Sequence, residues 1–242
     1  MKMKSKNNWT MRAAVLMFAL VLITSSFVGG TFAKYVTSEG AMDNARVAKF
    51  GVTINAQGEM FKTEYERNPL STALTATNSV VTSEADKKVV APGTEGDLVS
   101  ANITGKPEVA VKVEYKPELT LTNWTLASGT EYCPIVFTVN GKTYGMSGMK
   151  PKTGALDETA ATINELKTKV EAAIESYGKV YEANADLGEA TKAAGTDNVK
   201  VSWYWAFEGN SDENDTYLGN QAADGNASKV KLNITTTVTQ ID

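Results

Sequence analysis

Apolar side chains fall at every second position in segment after segment of this chain, and that period limits the fold more than any other feature. In residues 45–55 (ARVAKFGVTIN), Ala48, Phe50, Val52 and Ile54 alternate with Val47, Lys49, Gly51 and Thr53, as on a strand with one buried face. Residues 98–104 set Val99, Ala101 and Ile103 against Leu98, Ser100 and Asn102. Val109, Val111 and Val113 then alternate with Ala110, Lys112 and Glu114, and residues 119–126 (LTLTNWTL) read as another strand. In residues 198–207 (NVKVSWYWAF), Val199, Val201, Trp203 and Trp205 share one face, with Ser202, Tyr204 and Ala206 on the other. Near the end, Val230, Leu232 and Ile234 alternate with Lys229, Lys231 and Asn233, and a β-branched run follows.

Turn chemistry separates these segments. Ala91-Pro92-Gly93-Thr94-Glu95-Gly96-Asp97 is a strong turn signal. Asn140-Gly141, inside PIVFTVNGKTY, suits the left-handed dihedrals of a two-residue type I′ hairpin. The period changes once: Ile163, Leu166, Val170, Ile174, Tyr177 and Tyr181 recur every three or four residues. They predict an amphipathic helix of about five or six turns, packed on its own domain. Its start is expected at Asp157 or Thr159, its end near Gly188, and Gly178 weakens its last part. Residues 59–77 read as loop with a short strand, and residues 209–226 as a polar loop. The chain is therefore expected to be mostly β, a jelly roll or β-sandwich, with one helix inserted at about 156–187.

The first 33 residues belong to another category. Lys2, Lys4, Lys6 and Arg12 form a basic start without an acidic residue, and residues 13–28 are apolar except for Thr24, Ser25 and Ser26. Small residues then lead to Ala33. A basic head, an apolar middle shorter than the roughly 20 residues of a membrane span, and a small-residue junction describe a cleaved signal peptide. Cleavage is expected between Ala33 and Lys34. It removes four of the 24 basic residues and none of the 28 acidic ones, so the mature chain is more acidic than the whole. That balance suits a secreted, soluble protein and argues against nucleic acid as a partner. No apolar tail follows the last strand, so attachment to a cell is expected through partners.

Composition removes several chemistries. The chain has no histidine and one cysteine, Cys133, which excludes the usual catalytic triads, histidine-bearing zinc sites and an internal disulfide. Cys133, before Pro134 in an apolar stretch, reads as a small buried hydrophobe. The best metal candidate is the acidic run from Glu208 through Asp212 to Asp215, whose oxygens would suit Ca²⁺. Its spacing does not match an EF-hand, and a solvated loop between strands is the plainer reading, so no metal, cofactor or catalytic residue is assigned. Trp203, Tyr204 and Trp205 offer a surface on which sugars would stack; positions in and out of a sheet are the commoner use of such a pattern.

Residues at the junction carry a resemblance. Gly29-Gly30-Thr31-Phe32-Ala33, followed by Lys34-Tyr35-Val36-Thr37-Ser38, resembles the SipW-type signal-peptide junction of the TasA/camelysin family. These are secreted proteins of Gram-positive bacteria, processed by a dedicated signal peptidase of the ER type. Residues 38–54 (SEGAMDNARVAKFGVTI) are similar to the family in order and spacing. Residues 89–98 (VVAPGTEGDL) resemble its Pro-Gly turn, residues 105–114 (GKPEVAVKVE) the strand after it, and the C-terminal third the ends of related secreted proteins. The helical region at about 156–187 has no clear counterpart.

The resemblance implies a jelly-roll subunit of an extracellular, biofilm-matrix fibre. In that family the mature N-terminus leaves its own domain and adds as a strand to the next subunit, which is donor-strand complementation. Here Lys34, Tyr35, Val36, Thr37 and Ser38 would be the donor strand, with Tyr35 and Thr37 facing the neighbour, and residues 39–44 the linker. The β domain would span 45–242. The partners implied are further copies in a head-to-tail homopolymer, the signal peptidase, and an accessory or anchor subunit. A monomeric secreted or surface-associated binding module on the same fold is the alternative. It predicts a folded N-terminus and an exposed aromatic patch around residues 203–205. Family members called camelysin are described as metalloproteases; the absence of histidine gives that activity little support here.

Overall fold

Period-two segments of the sequence become strands in the computed structural model, which describes residues 46–57, 60–66, 79–83, 87–188 and 199–241. The expected signal peptide, the cleavage pair Ala33 and Lys34, the donor strand (Lys34, Tyr35, Val36, Thr37, Ser38) and the linker at 39–44 lie outside the described residues. The strands are β1 (Val52–Gln57), β2 (Glu64–Glu66), β3 (Ser79–Thr82), β4 (Glu95–Gly105), β5 (Val111–Thr122), β6 (Ile135–Val139), β7 (Lys142–Met146), β8 (Glu158–Ala160), β9 (Lys179–Tyr181), β10 (Lys200–Trp205) and β11 (Lys229–Gln240). Helices α1 (Ile163–Glu175) and α2 (Asp212–Ala223) are described in full. All these elements belong to the unit Phe50–Asp242, and the protein is mostly β.

Among the described residues, one sheet has six strands in the order β1-β4-β10-β6-β7-β8; a second has three, β11-β5-β9; β2 and β3 form a small ribbon. Pairing is antiparallel throughout except between β7 and β8. The hairpin from β6 to β7 turns at Asn140 and Gly141, with φ of 46° and 90°, as a type I′ turn requires.

The apolar faces of the two larger sheets share one core. Ile103 of β4, Ile135 and Phe137 of β6 and Val201 and Trp203 of β10 are buried with Val111, Val113, Tyr115 and Leu119 of β5. Burying such a side chain contributes about 1.5–3 kcal/mol, so these alternating rows supply much of the driving force. Trp124 Nε1–H donates to the Lys229 carbonyl at 2.9 Å, and its ring meets Trp205 edge-on at 5.8 Å. Trp203 Nε1–H donates to the Met60 carbonyl at 2.6 Å. The Tyr65 hydroxyl donates to the Val89 carbonyl at 2.9 Å and accepts from the Lys62 amide at 3.0 Å. These bonds fix the segment around residues 60–66, where β2 lies within the stretch read as loop with a short strand. Cys133 is fully buried, and burial pushes its thiol up to about 12.

Several boundaries differ from the sequence-based expectation. The helix is 13 residues long, not five or six turns. Thr162 is its N-cap, accepting from the Glu165 amide at 3.1 Å. Leu166, Val170 and Ile174 form its buried stripe, while Tyr181 continues the same spacing on β9. Gly178 explains the early stop: its neighbours include the Val113 carbonyl, where the chain closes on β5 before entering β9. Residues 109–115 and 119–126, read as two strands, are largely one, because β5 runs through Pro117 with strict alternation of buried and exposed residues as far as Thr120. The expected polar loop at 209–226 contains α2. Ser211 caps it by accepting from the Asn214 amide at 3.3 Å, and Asp212, Glu213 and Asp215 complement the positive end of its dipole.

Candidate functional site

Among the described residues, the far side of β11 is a long sheet edge without a partner strand. β11 pairs with β5 without interruption, from Lys229 opposite Thr122 to Gln240 opposite Val111, a ladder about 40 Å long. Ile241 N–H donates to the Ala110 carbonyl at 3.0 Å. Odd-numbered amides of this strand therefore point toward β5, and by the antiparallel pattern the even-numbered ones point away. Among the described residues no strand pairs with that far side. Val230, Leu232, Ile234, Thr236 and Val238 thus present outward N–H and C=O groups.

The side chains of these residues face the core and are only half-buried. The Thr236 hydroxyl oxygen is buried and has no hydrogen-bond partner. At the matching end of the larger sheet, Ile54 of β1 stands opposite Ile103 of β4. Residues directly opposite share a face, so Ile54 points to the core side. It is nevertheless 40% exposed, while Ile103 is fully buried. β11 meets the larger sheet at β4, beside β1. Among the described residues, the core is therefore incompletely covered where β1 and β11 end the two sheets.

Natural edge strands are usually blunted by charge, proline or a bulge. β11 carries Lys229 and Lys231 at its start, but residues 233–240 (NITTTVTQ) contain no charge and no proline, and its pairing with β5 has no register shift.

Other sites suggested by sequence come out differently. Trp203 and Trp205 are buried, at 1% and 4% exposure, so the expected aromatic patch around residues 203–205 does not form; Tyr204 faces a shallow groove that Trp203 also borders. That groove, about 550 Å³, crosses the outer face of the six-stranded sheet and is lined by Glu95, Asp97, Thr138, Lys152 and Ser202 as well. Lys152 Nζ pairs with Glu95 at 2.6 Å and Lys200 Nζ with Asp97 at 3.8 Å, so its charges largely answer one another.

The Ca²⁺ candidates do not converge. Glu208 and Asp212 are exposed, whereas Asp215 turns inward from α2. Its carboxylate accepts from the Tyr132 hydroxyl at 2.6 Å and from Trp205 Nε1–H at 3.1 Å. Burial raises the pKa of Asp215, against the lowering effect of these two donors. Burial likewise raises that of Tyr132, with the bond to Asp215 acting in the same direction. Among the described residues no group of three or more carboxylate or thiol side chains is placed to hold a metal ion.

The open edge was not legible in the sequence, because β11 has the alternation of any half-buried strand. What distinguishes it is pairing, which one segment alone does not encode. The absence of charge and proline from residues 233–240 was the available signal. Compared with protein-family models, with curated proteins and with solved structures, the chain matches none.

Proposed function

We propose that this chain is a secreted structural subunit of an extracellular, biofilm-matrix fibre, assembled by N-terminal donor-strand exchange between jelly-roll-like sandwiches. The observation that carries this reading is the β11 edge: 12 residues long, unbulged, uncharged over its last eight positions, with a half-covered apolar face. Such an edge is a template for an added strand: main-chain bonds give affinity and alternate side chains give register. The donor would be Lys34, Tyr35, Val36, Thr37 and Ser38 of a neighbouring copy, with Tyr35 and Thr37 toward the gap between β1 and β11. The linker at 39–44 supplies a reach of about 20 Å. A head-to-tail contact of this kind does not close on itself and so grows as a filament. An uncleaved signal peptide would keep the donor from being free, so assembly would follow export and cleavage at Ala33–Lys34 by a signal peptidase of the ER type. An accessory or anchor subunit would tie the fibre to the cell. No enzymatic activity, cofactor or nucleic acid partner is part of this reading.

The test is negative-stain electron microscopy of the chain beginning at Lys34 beside one beginning at Ala45. Filaments from the first and none from the second are expected. Monodisperse particles from both, across concentration and pH, would refute the proposal. They would favour a monomeric secreted or surface-associated binding module, for which the groove around Tyr204 is the surface to examine.

A further inference from the structure

The two edges of the three-stranded sheet are unequal, and the inequality has identifiable causes. β9 covers only Val111 to Val113 of β5. Beyond it the outer edge of β5 would be open, but Leu119 N–H donates to Glu171 Oε1 of α1 at 2.7 Å. The Leu119 amide therefore faces away from β11, and by period two so do positions 113, 115 and 117. Position 117 is proline, which has no N–H to offer an incoming strand. Helix α1 lies along this stretch of β5. Its Leu166, Val170 and Ile174 are fully buried, so the edge cannot be uncovered without opening the core. On β11 the equivalent outward positions carry no proline, and among the described residues no helix lies along them.

We infer that α1 and Pro117 are an edge guard: they close the β5 side of the three-stranded sheet beyond β9, so that within this sheet strand addition is directed to β11. This inference rests on the assembly reading above and gives the inserted helix a role in it. A sheet with two open edges would accept strands on both sides and would branch or aggregate laterally. Among the described residues the guard leaves β11 as the long open edge of the three-stranded sheet.

Amide hydrogen exchange on the mature chain, before and after assembly, tests this residue by residue. In the monomer the Leu119 amide should exchange at least about tenfold more slowly than those of Leu232, Ile234 and Val238. On assembly those three should gain protection of about 100-fold or more, with Leu119 and α1 unchanged. Protection gained over residues 114–121, or lost in α1, would place the added strand on the β5 edge and overturn the inference. A transplanted guard gives a second measurement. Thr236→Pro puts a proline at an outward position of β11, where the native ladder to β5 loses no bond, and should reduce filament yield at least about tenfold. Pro117→Thr should leave it unchanged, because α1 still covers that edge. Normal filaments from a folded Thr236→Pro protein would refute the inference while leaving donor-strand assembly standing. Absence of filaments from the wild-type chain would remove the assembly reading itself.

Discussion

Replacing Asp215 by alanine should destabilise the body by about 3 kcal/mol. The carboxylate is the acceptor for two donors inside the protein, the Tyr132 hydroxyl at 2.6 Å and Trp205 Nε1–H at 3.1 Å, and its residue is only 8% exposed. Leaving a buried donor without a partner costs about 1–3 kcal/mol each. The favourable charge in the first turn of α2 adds about 0.3–1 kcal/mol, and alanine returns about 0.5–0.7 kcal/mol of helix propensity. Urea unfolding followed by tryptophan fluorescence reads the loss directly, since Trp124, Trp203 and Trp205 are all buried. The same site predicts a pH dependence. Burial raises the pKa of Asp215 in the folded state above its ordinary value of 3.8. Its contribution is therefore complete below about pH 4 and is lost as pH rises through the folded pKa. Asp215→Asn does not titrate, so the stability of the wild type relative to this variant should increase as pH falls from 7 toward 4. Exposed Asp157, held low mainly by the Thr143 amide, and Glu158, held low mainly by Lys142, act in the opposite sense and at lower pH; both variants retain them. An Asp215→Ala protein within about 0.5 kcal/mol of wild type would refute the account, as would a stability difference from Asp215→Asn that does not change with pH.

Trp203→Phe should cost about 3 kcal/mol, from the lost bond to the Met60 carbonyl and the smaller ring in a fully packed site; urea unfolding followed by circular dichroism measures it. A Cβ at Gly96 would sit 2.0 Å from the Met60 carbonyl oxygen and 2.9 Å from Trp203 Nε1. Gly96→Ala should therefore destabilise by about 2 kcal/mol or more, and the double variant with Trp203→Phe should cost less than the two single effects combined, in a double-mutant cycle. Glu171→Ala strands the Leu119 amide. It should lower stability by about 1–2 kcal/mol and speed exchange at Leu119 more than at Val113, whose amide position lies in the ladder to β9.

Strands with one covered face were readable because alternation is local: β5, β10 and β11 all place their apolar sets as the sequence implied. The type I′ turn at Asn140-Gly141 was readable for the same reason. Helix lengths were not. The α1 stripe carries on through Tyr177 and Tyr181 as if the helix continued, and only the pairing of β9 with β5 converts that spacing into a strand. In α2 only Asp215 and Leu218 are buried, so no apolar stripe announced it, and its capping serine looked like part of a loop. Asp215 illustrates the limit for the candidate sites. As a sequence it was one carboxylate among several suited to Ca²⁺, and only tertiary packing sets it against Tyr132 and Trp205. The two strands read at 109–115 and 119–126 erred in the other direction: β5 continues through Pro117, at an edge that tolerates proline.

The position of Cys133 makes the chain its own clock. A single thiol, fully buried and with its pKa pushed up to about 12, reacts with a labelling reagent only when the core around it opens. The labelling rate in the unmodified protein therefore reports the frequency of that opening, with no engineered probe. Growth of a filament that braces the core would lengthen the interval between labelling events, so the same thiol would time assembly from inside the subunit.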